Sequence, residues 1–292
     1  MPPSSGTLLL HRAESAAERL PPLLVAAEHV AAAVAMGIHG RRRAGPGETF
    51  WQFRPYRDGD PASRVDWRRS AKGERLFVRE REWEAAQTVW LWRDGSPSMD
   101  YHSSKNRPTK RERADVLLLA LALLLVRAGE RVALLGAYEG PTTSRAGIER
   151  MAATLADHQS DIRGVPPAEG TVKHARFVAF GDFLEPIDDT AQRLRAHAGR
   201  GVKGHLMQVL DPAEETLPFA GRVRFEGPES EGETLIERAD SLRGAYAEKL
   251  AAHRAGLAQV CARLDYTFET HRTDQPTSAA LLPLFAAIGE RT

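Results

Sequence analysis

The sequence is short of cysteine, of net charge and of long apolar runs, and each shortage removes a class of function. Cys261 is the single cysteine, which excludes an intramolecular disulfide and a cysteine-based zinc site and fits a reducing compartment. Forty Lys and Arg stand against 39 Asp and Glu, so the net charge of +1 provides no general field for nucleic acid or an anionic membrane surface. The most apolar run, Val116 to Val126, is far shorter than the roughly 20 residues a helix needs to cross a bilayer. Met1 to Leu10 has no charged segment leading into an apolar stretch, so no secretory signal is read there. Walker A, Gly-x-Ser-x-Gly and His-Glu-x-x-His sequences are also missing, which argues against P-loop nucleotide binding, acyl transfer and zinc hydrolysis. The expectation is a cytoplasmic protein with no transmembrane segment and no nucleic-acid partner. Its basic runs, Arg41 to Arg43 and Lys110 to Arg113, read as solvated surface.

What is present is a chain of 292 residues, 42% hydrophobic, enough to bury a sizeable core. Residues 1–40 form a helical segment, with Leu20, Leu23, Leu24, Ala27, Val30, Ala31 and Val34 at helical spacing. Residues 41–86 are dense in Arg, Asp and Trp and predict short strands and turns, an elaboration packed on the main domain. From residue 87 onward, buried strands alternate with helices. Strands are predicted at Thr88 to Trp92, Arg131 to Tyr138, Lys173 to Phe183, His205 to Leu210 and Tyr266 to Thr270, with an antiparallel excursion between Phe219 and Ile236. Alternation of this kind predicts an α/β fold, a doubly wound, mostly parallel sheet covered by helices on both faces. Gly199-x-Gly201-x-x-Gly204 spells a dinucleotide fingerprint but follows a helix and precedes a strand, the reverse of the required order, and reads as a loop.

The chain is organised around Thr88 to Met99. Val89 to Trp92 form a central strand that runs into Asp94-Gly95-Ser96-Pro97-Ser98, where Gly95 and Pro97 force a tight loop. The alternating oxygens of Asp94, Ser96 and Ser98 can then meet at one point. One carboxylate and two hydroxyls suit a hard divalent cation, and the carboxyl edge of such a sheet is where ligands bind. Turn-forming chemistry alone accounts equally well for these residue types. A second strand ends at Gly181-Asp182, where Asp182 is either a turn residue or a second carboxylate for the same cation.

These two strand ends resemble the metal-ion-dependent adhesion site of von Willebrand factor type A domains. Upstream, Phe50 to Asp60, then Arg64 to Ala71, then Leu76 to Glu80 resemble the signature of the bacterial domain-of-unknown-function 58 (DUF58) family, whose members carry a type A-like domain directly after it. The resemblance implies a non-enzymatic interaction module that binds Mg²⁺ or Mn²⁺ through Asp94, Ser96, Ser98 and Asp182. It also implies a threonine ligand, sought among Thr142, Thr143 and Ser144 and assigned to Thr143. The implied partner is a protein, with MoxR-type AAA+ ATPases, often associated with the family, as the specific expectation.

Two further readings come from the residues themselves. Arg57, Asp60, Arg64, Asp66, Trp67 and Arg79 form either a charge-paired scaffold anchored by Trp67 or a docking surface with Arg and Trp as its hot spots. The alternative function is a metal-dependent hydrolase at the same loop, with Asp94 as nucleophile or metal holder and His102 or Asp100 as the nearby acid or base.

Overall fold

A computed structural model describes residues 24–35, 50–56, 65–71, 73, 75–81, 87–137, 139–157, 163–168, 173–227 and 232–289. The chain divides into two compact units, residues 41–86 forming one and residues 1–40 with 87–292 the other.

In the smaller unit, strands β1 (Phe50–Pro55) and β2 (Phe77–Arg81) pair antiparallel, with a register shift between Phe50 and Gln52. A four-residue helix, α2 (Trp67–Ser70), lies between them in sequence. Asp66 caps it by accepting from the Arg69 amide, and Ser70 turns inward to accept from the Phe77 amide. Trp67 is 64% exposed. The helix is too short to bury two sides, and the residue it turns inward is Ser70. Arg57, Asp60 and Arg64 lie outside the described residues, and Arg79 lies on β2.

The larger unit begins with a helix at 24–35, called α1, whose Ala27, Ala31 and Val34 enter the core. Five strands form its sheet: β3 (Thr88–Arg93), β4 (Arg131–Leu134), β5 (Arg176–Gly181), β6 (Lys203–Leu210) and β9 (Thr267–Arg272). All their pairings are parallel, in the order β4-β3-β5-β6-β9. Side chains alternate across the sheet as the two-residue period requires. Val89 and Leu91 of β3, with Val178 and Phe180 of β5, face one core, while Trp92, Phe177 and Ala179 face the other. The first core takes α3 (Lys110–Arg127), α4 (Arg145–Ala156), α8 (Thr277–Gly289) and α1. On the second face lie α5 (Ile187–Ala198) and α7 (Arg243–Arg263). Every residue from Leu117 to Leu125 is buried, as befits a helix that is apolar all round. Between β6 and α7 come a short helix, α6 (Pro212–Thr216), and an antiparallel hairpin of β7 (Val223–Glu226) and β8 (Glu233–Ile236). No described helix is long and apolar enough to cross a membrane.

Topology sets where a site can form. After β3 the chain goes to β4 on one side, then crosses to β5 on the other, so β3 and β5 flank the point where the winding reverses. Loops leaving their carboxyl ends part there and leave a crevice.

The glycines of the fingerprint-like stretch have packing reasons. Gly201 takes φ +73° in the turn after α5, and Gly204 sits within β6 opposite Phe177. A Cβ at Gly204 would stand 2.1 Å from the Tyr266 ring, which is buried and fixed by its hydroxyl donating to Val202 O at 2.8 Å. Gly204→Ala is therefore expected to destabilise the fold by about 1–3 kcal/mol through overpacking. Urea denaturation would read this as a lower midpoint at unchanged slope.

Candidate functional site

The crevice is built from the ends of β3, β5 and β6 and the start of α3. Asp94 continues the sheet one step beyond β3, its amide donating to Phe180 O at 2.8 Å. Its carboxylate Oδ1 then accepts the Ser96 amide at 2.9 Å, which closes the tight loop. Ser96 Oγ lies 2.9 Å from Ser98 Oγ, and Ser98 Oγ donates to Asp182 Oδ2 at 2.6 Å. The structure thus brings four of the five expected ligands together.

Asp182 is held from three sides. Gly181 before it lets β5 approach the β3 loop, since a Cβ there would stand 3.0 Å from Asp94 Cβ. Phe183 after it takes the left-handed conformation, φ 49°, and its carbonyl lies 2.7 Å from His253 Nε2 on α7. Gln208, fully buried on β6, donates from Nε2 to Asp182 O at 2.8 Å. A non-glycine residue at positive φ beside a converging carboxylate is the kind of strained conformation that functional sites retain.

The fifth ligand is elsewhere. Thr142 pairs with Val132, which is level with Val89 near the start of β3. Asp94 is five residues further along, about 16 Å at a strand's rise per residue. Thr143, exposed and next to Thr142, therefore supplies nothing to the crevice. This segment instead lies along the outer edge of β4, and Ser144 caps α4 by accepting from the Gly147 amide.

Two cations that the sequence suggested were surface residues sit in the interior. Lys110 opens α3 and is 0% exposed, its Nζ donating to Asp182 Oδ2 at 2.8 Å and to Glu214 Oε1 at 2.6 Å. Glu214 belongs to α6 and also accepts the Asp211 amide with Oε2, in a capping box. Burial alone would lower the Lys110 pKa, but the two carboxylates reverse the sign and raise it. Arg111, the next residue, donates to Ser96 O at 3.1 Å and pairs with Asp100. Beneath them, Arg93 from the end of β3 pairs with Asp115 of α3 at 2.9 Å. The pattern hid them: a basic run before an apolar helix looks like surface. One signal stood against that reading, because Thr109 and Glu112 form a capping box that fixes Lys110 at the helix start, where a cation opposes the helix dipole.

The crevice opens into a cavity of about 770 Å³. Asp94, Ser96, Ser98, Asp182 and Glu214 form its polar end, and Phe183, Leu217, Phe219, Val223 and Phe225 wall it toward the β7–β8 hairpin. His102 and Asp100 do not line it. His102 is exposed, with Nδ1 3.0 Å from Ser104 O, and Asp100 is spent on Arg111. The acid–base pair that the hydrolase alternative needs does not converge here. Among the described residues, no three His, Cys, Asp or Glu side chains are grouped to hold a metal, so serine hydroxyls must share in any cation site.

Comparison with known proteins now gives the family. The description "Protein of unknown function DUF58" matches residues 52–256. The chain belongs to the DUF58 family. It is 28% identical over 258 residues to uncharacterized proteins of Mycobacterium tuberculosis (Rv1480) and Mycobacterium bovis (Mb1516), covering 83% of this chain and 80% of theirs. Among solved structures it is similar to the conserved hypothetical protein BatB of Bacteroides thetaiotaomicron, at 13% identity and TM-score 0.42, over 70% of this chain and all of that one. A second is an aerotolerance-related membrane protein of Bacteroides fragilis, at 15% identity and TM-score 0.38, over 69% of this chain and all of that one.

In this DUF58 chain the electrostatics are uneven. No ion pair reaches Asp94 among the described residues, although it is 95% buried and Asp182 is close. Burial first, and the Asp182 charge second, raise its pKa from 3.8 to about 6. A carboxyl raised in the folded state is protonated there while still ionised in the unfolded chain. Stability therefore falls as pH climbs from about 4 to 6, and the loss persists above 6. Asp94→Asn removes that charge, and is expected to raise unfolding stability by about 2–3 kcal/mol at pH 7 and by almost nothing at pH 4. Urea denaturation of both proteins at the two pH values would check it, and equal gains at both would contradict this electrostatic account.

Proposed function

We propose that this protein is an interaction module of the von Willebrand factor type A-like kind, whose Asp94, Ser96, Ser98 and Asp182 face takes Mg²⁺ or Mn²⁺ and engages a protein partner. The observation that carries the reading is the convergence of two carboxylates and two hydroxyls at the point where the sheet reverses its winding, with no ion pair to Asp94 among the described residues. The donor set fits the group. Hard oxygens in small number, open to water on the cavity side, match a cation that retains much of its hydration. Asp94, Ser96 and Ser98 would hold the ion with Asp182 Oδ1, which accepts the Leu184 amide at 3.4 Å. When bound, the ion supplies positive charge for a carboxylate of the partner.

The chain's own residues do the positioning. Gln208 and Lys110 fix Asp182, Arg111 ties down the carbonyl side of the Asp94–Ser98 loop, and the aromatic wall limits water to one side. A MoxR-type AAA+ ATPase, in assembly or maturation of a protein complex in the cytoplasm, is the partner that the family resemblance supplies for this reading.

Calorimetric titration with Mg²⁺ and Mn²⁺ tests the metal half. Saturable binding is expected for the wild type and none for Asp94→Ala, and silence from both proteins would end the metal reading. The partner half predicts that a purified MoxR-type ATPase binds the wild type in Mg²⁺, and that EDTA or Asp94→Ala weakens binding at least about tenfold, the cost of one charge-assisted contact. Binding indifferent to both would place the interface elsewhere.

A further inference from the structure

Lys110 is unusual in its surroundings as well as its burial. Its ammonium touches one of the two carboxylates assigned to the metal, at 2.8 Å, and a third carboxylate, Glu214, at 2.6 Å. Both bonds run to segments that lie beyond other strands, Asp182 just after β5 and Glu214 on α6 after β6, while Lys110 itself starts α3. One charged atom therefore pins three of the elements that frame the crevice. Asp182 Oδ2 accepts the Ser98 hydroxyl as well, so that oxygen already has two donors.

We infer that Lys110 is the site's resident cation: a tethered ammonium that holds the carboxylate loops together with no metal bound and limits how tightly a divalent ion can bind. This rests on the metal reading of the same face. The physical argument is competition for charge. Three carboxylates, Asp94, Asp182 and Glu214, stand around the polar end of one cavity, and the described cation that bonds to two of them is Lys110. A divalent ion beside Asp94 gains from Asp182 only what the ammonium leaves, and is itself repelled by that ammonium at short range in a poorly screened interior. Removing the ammonium charge leaves Asp182 its full negative charge for the ion and removes the repulsion. It also leaves buried carboxylates without a counter-charge, which destabilises the metal-free protein. A lysine with a purely structural role would share the second effect and lack the first.

The test is Lys110→Gln, which can still donate a hydrogen bond to Asp182 but carries no charge, compared with the wild type by Mn²⁺ calorimetry and by thermal unfolding in EDTA and in saturating Mn²⁺. The expected result is Mn²⁺ binding at least about tenfold tighter than wild type, a melting temperature lowered in EDTA, and recovery of most of that loss in Mn²⁺. Lys110→Arg keeps the charge and is expected to keep wild-type-like weak binding. A folded Lys110→Gln protein that binds Mn²⁺ no tighter than a wild type that does bind overturns the role of Lys110 and leaves the metal reading standing. A variant that stays unfolded even in Mn²⁺ overturns it equally, because a cation at these carboxylates should replace the lost charge. If neither protein binds Mn²⁺, the metal reading fails and the inference fails with it.

Discussion

A single ammonium group, buried to zero exposure and shared between carboxylates that are 72 and 104 residues away in sequence, fixes the carboxyl-edge end of the larger unit's sheet. Charges are not removed from water without compensation, and breaking one partner of such a group typically costs about 3–5 kcal/mol, because the remaining charge stays buried. The starts of α3 and α6 and the loop after β5 are therefore coupled more strongly than their short contacts would achieve. Arg111 extends the coupling to the carbonyls of the Asp94–Ser98 loop, and the Arg93–Asp115 pair repeats it one layer below. Loops at the open end of a parallel sheet have no ladder of their own. Here buried ion pairs do what backbone pairing does inside the sheet.

The same end of the molecule divides into polar floor and apolar wall for a topological reason. Strand ends deliver Asp94 and Asp182 at the winding reversal, whereas the β7–β8 hairpin enters between β6 and α7 and brings Phe219, Val223 and Phe225 to the far side. Of the hairpin's two four-residue strands, β7 alternates half-buried Val223 and Phe225 with exposed Arg224 and Glu226, whereas β8 is exposed except for half-buried Ile236, so the hairpin has no deep core beneath it.

Much of this was legible in the chain. Val89 to Trp92 and Phe177 to Phe180 announced themselves because a buried parallel strand must be apolar on both faces, and their acidic ends followed from reading two residues further. The DUF58 signature and the Asp94-x-Ser96-x-Ser98 spacing are local, and local patterns survive in a sequence. Lys110 and Glu214 were not legible as site residues because nothing local links them. Lys110 stands in a run of charged residues, and Glu214 is accounted for by its capping box with Asp211. Thr143 failed for the opposite reason: the type A resemblance carried a threonine into a segment that here runs back along β4, where the bridge from Thr142 to Val132 sets its place.

The charge count of the crevice bears on why its residues are what they are. Lys110 can neutralise one of the carboxylates it touches but does not bond Asp94, whose pKa is raised by burial first and by the Asp182 charge second. Scaffolding alone does not require this. An asparagine at 94 could still accept the Ser96 amide and close the loop without carrying a buried charge. A carboxylate at 94, buried beside two hydroxyls and close to Asp182, therefore carries negative charge where it destabilises the folded protein at neutral pH.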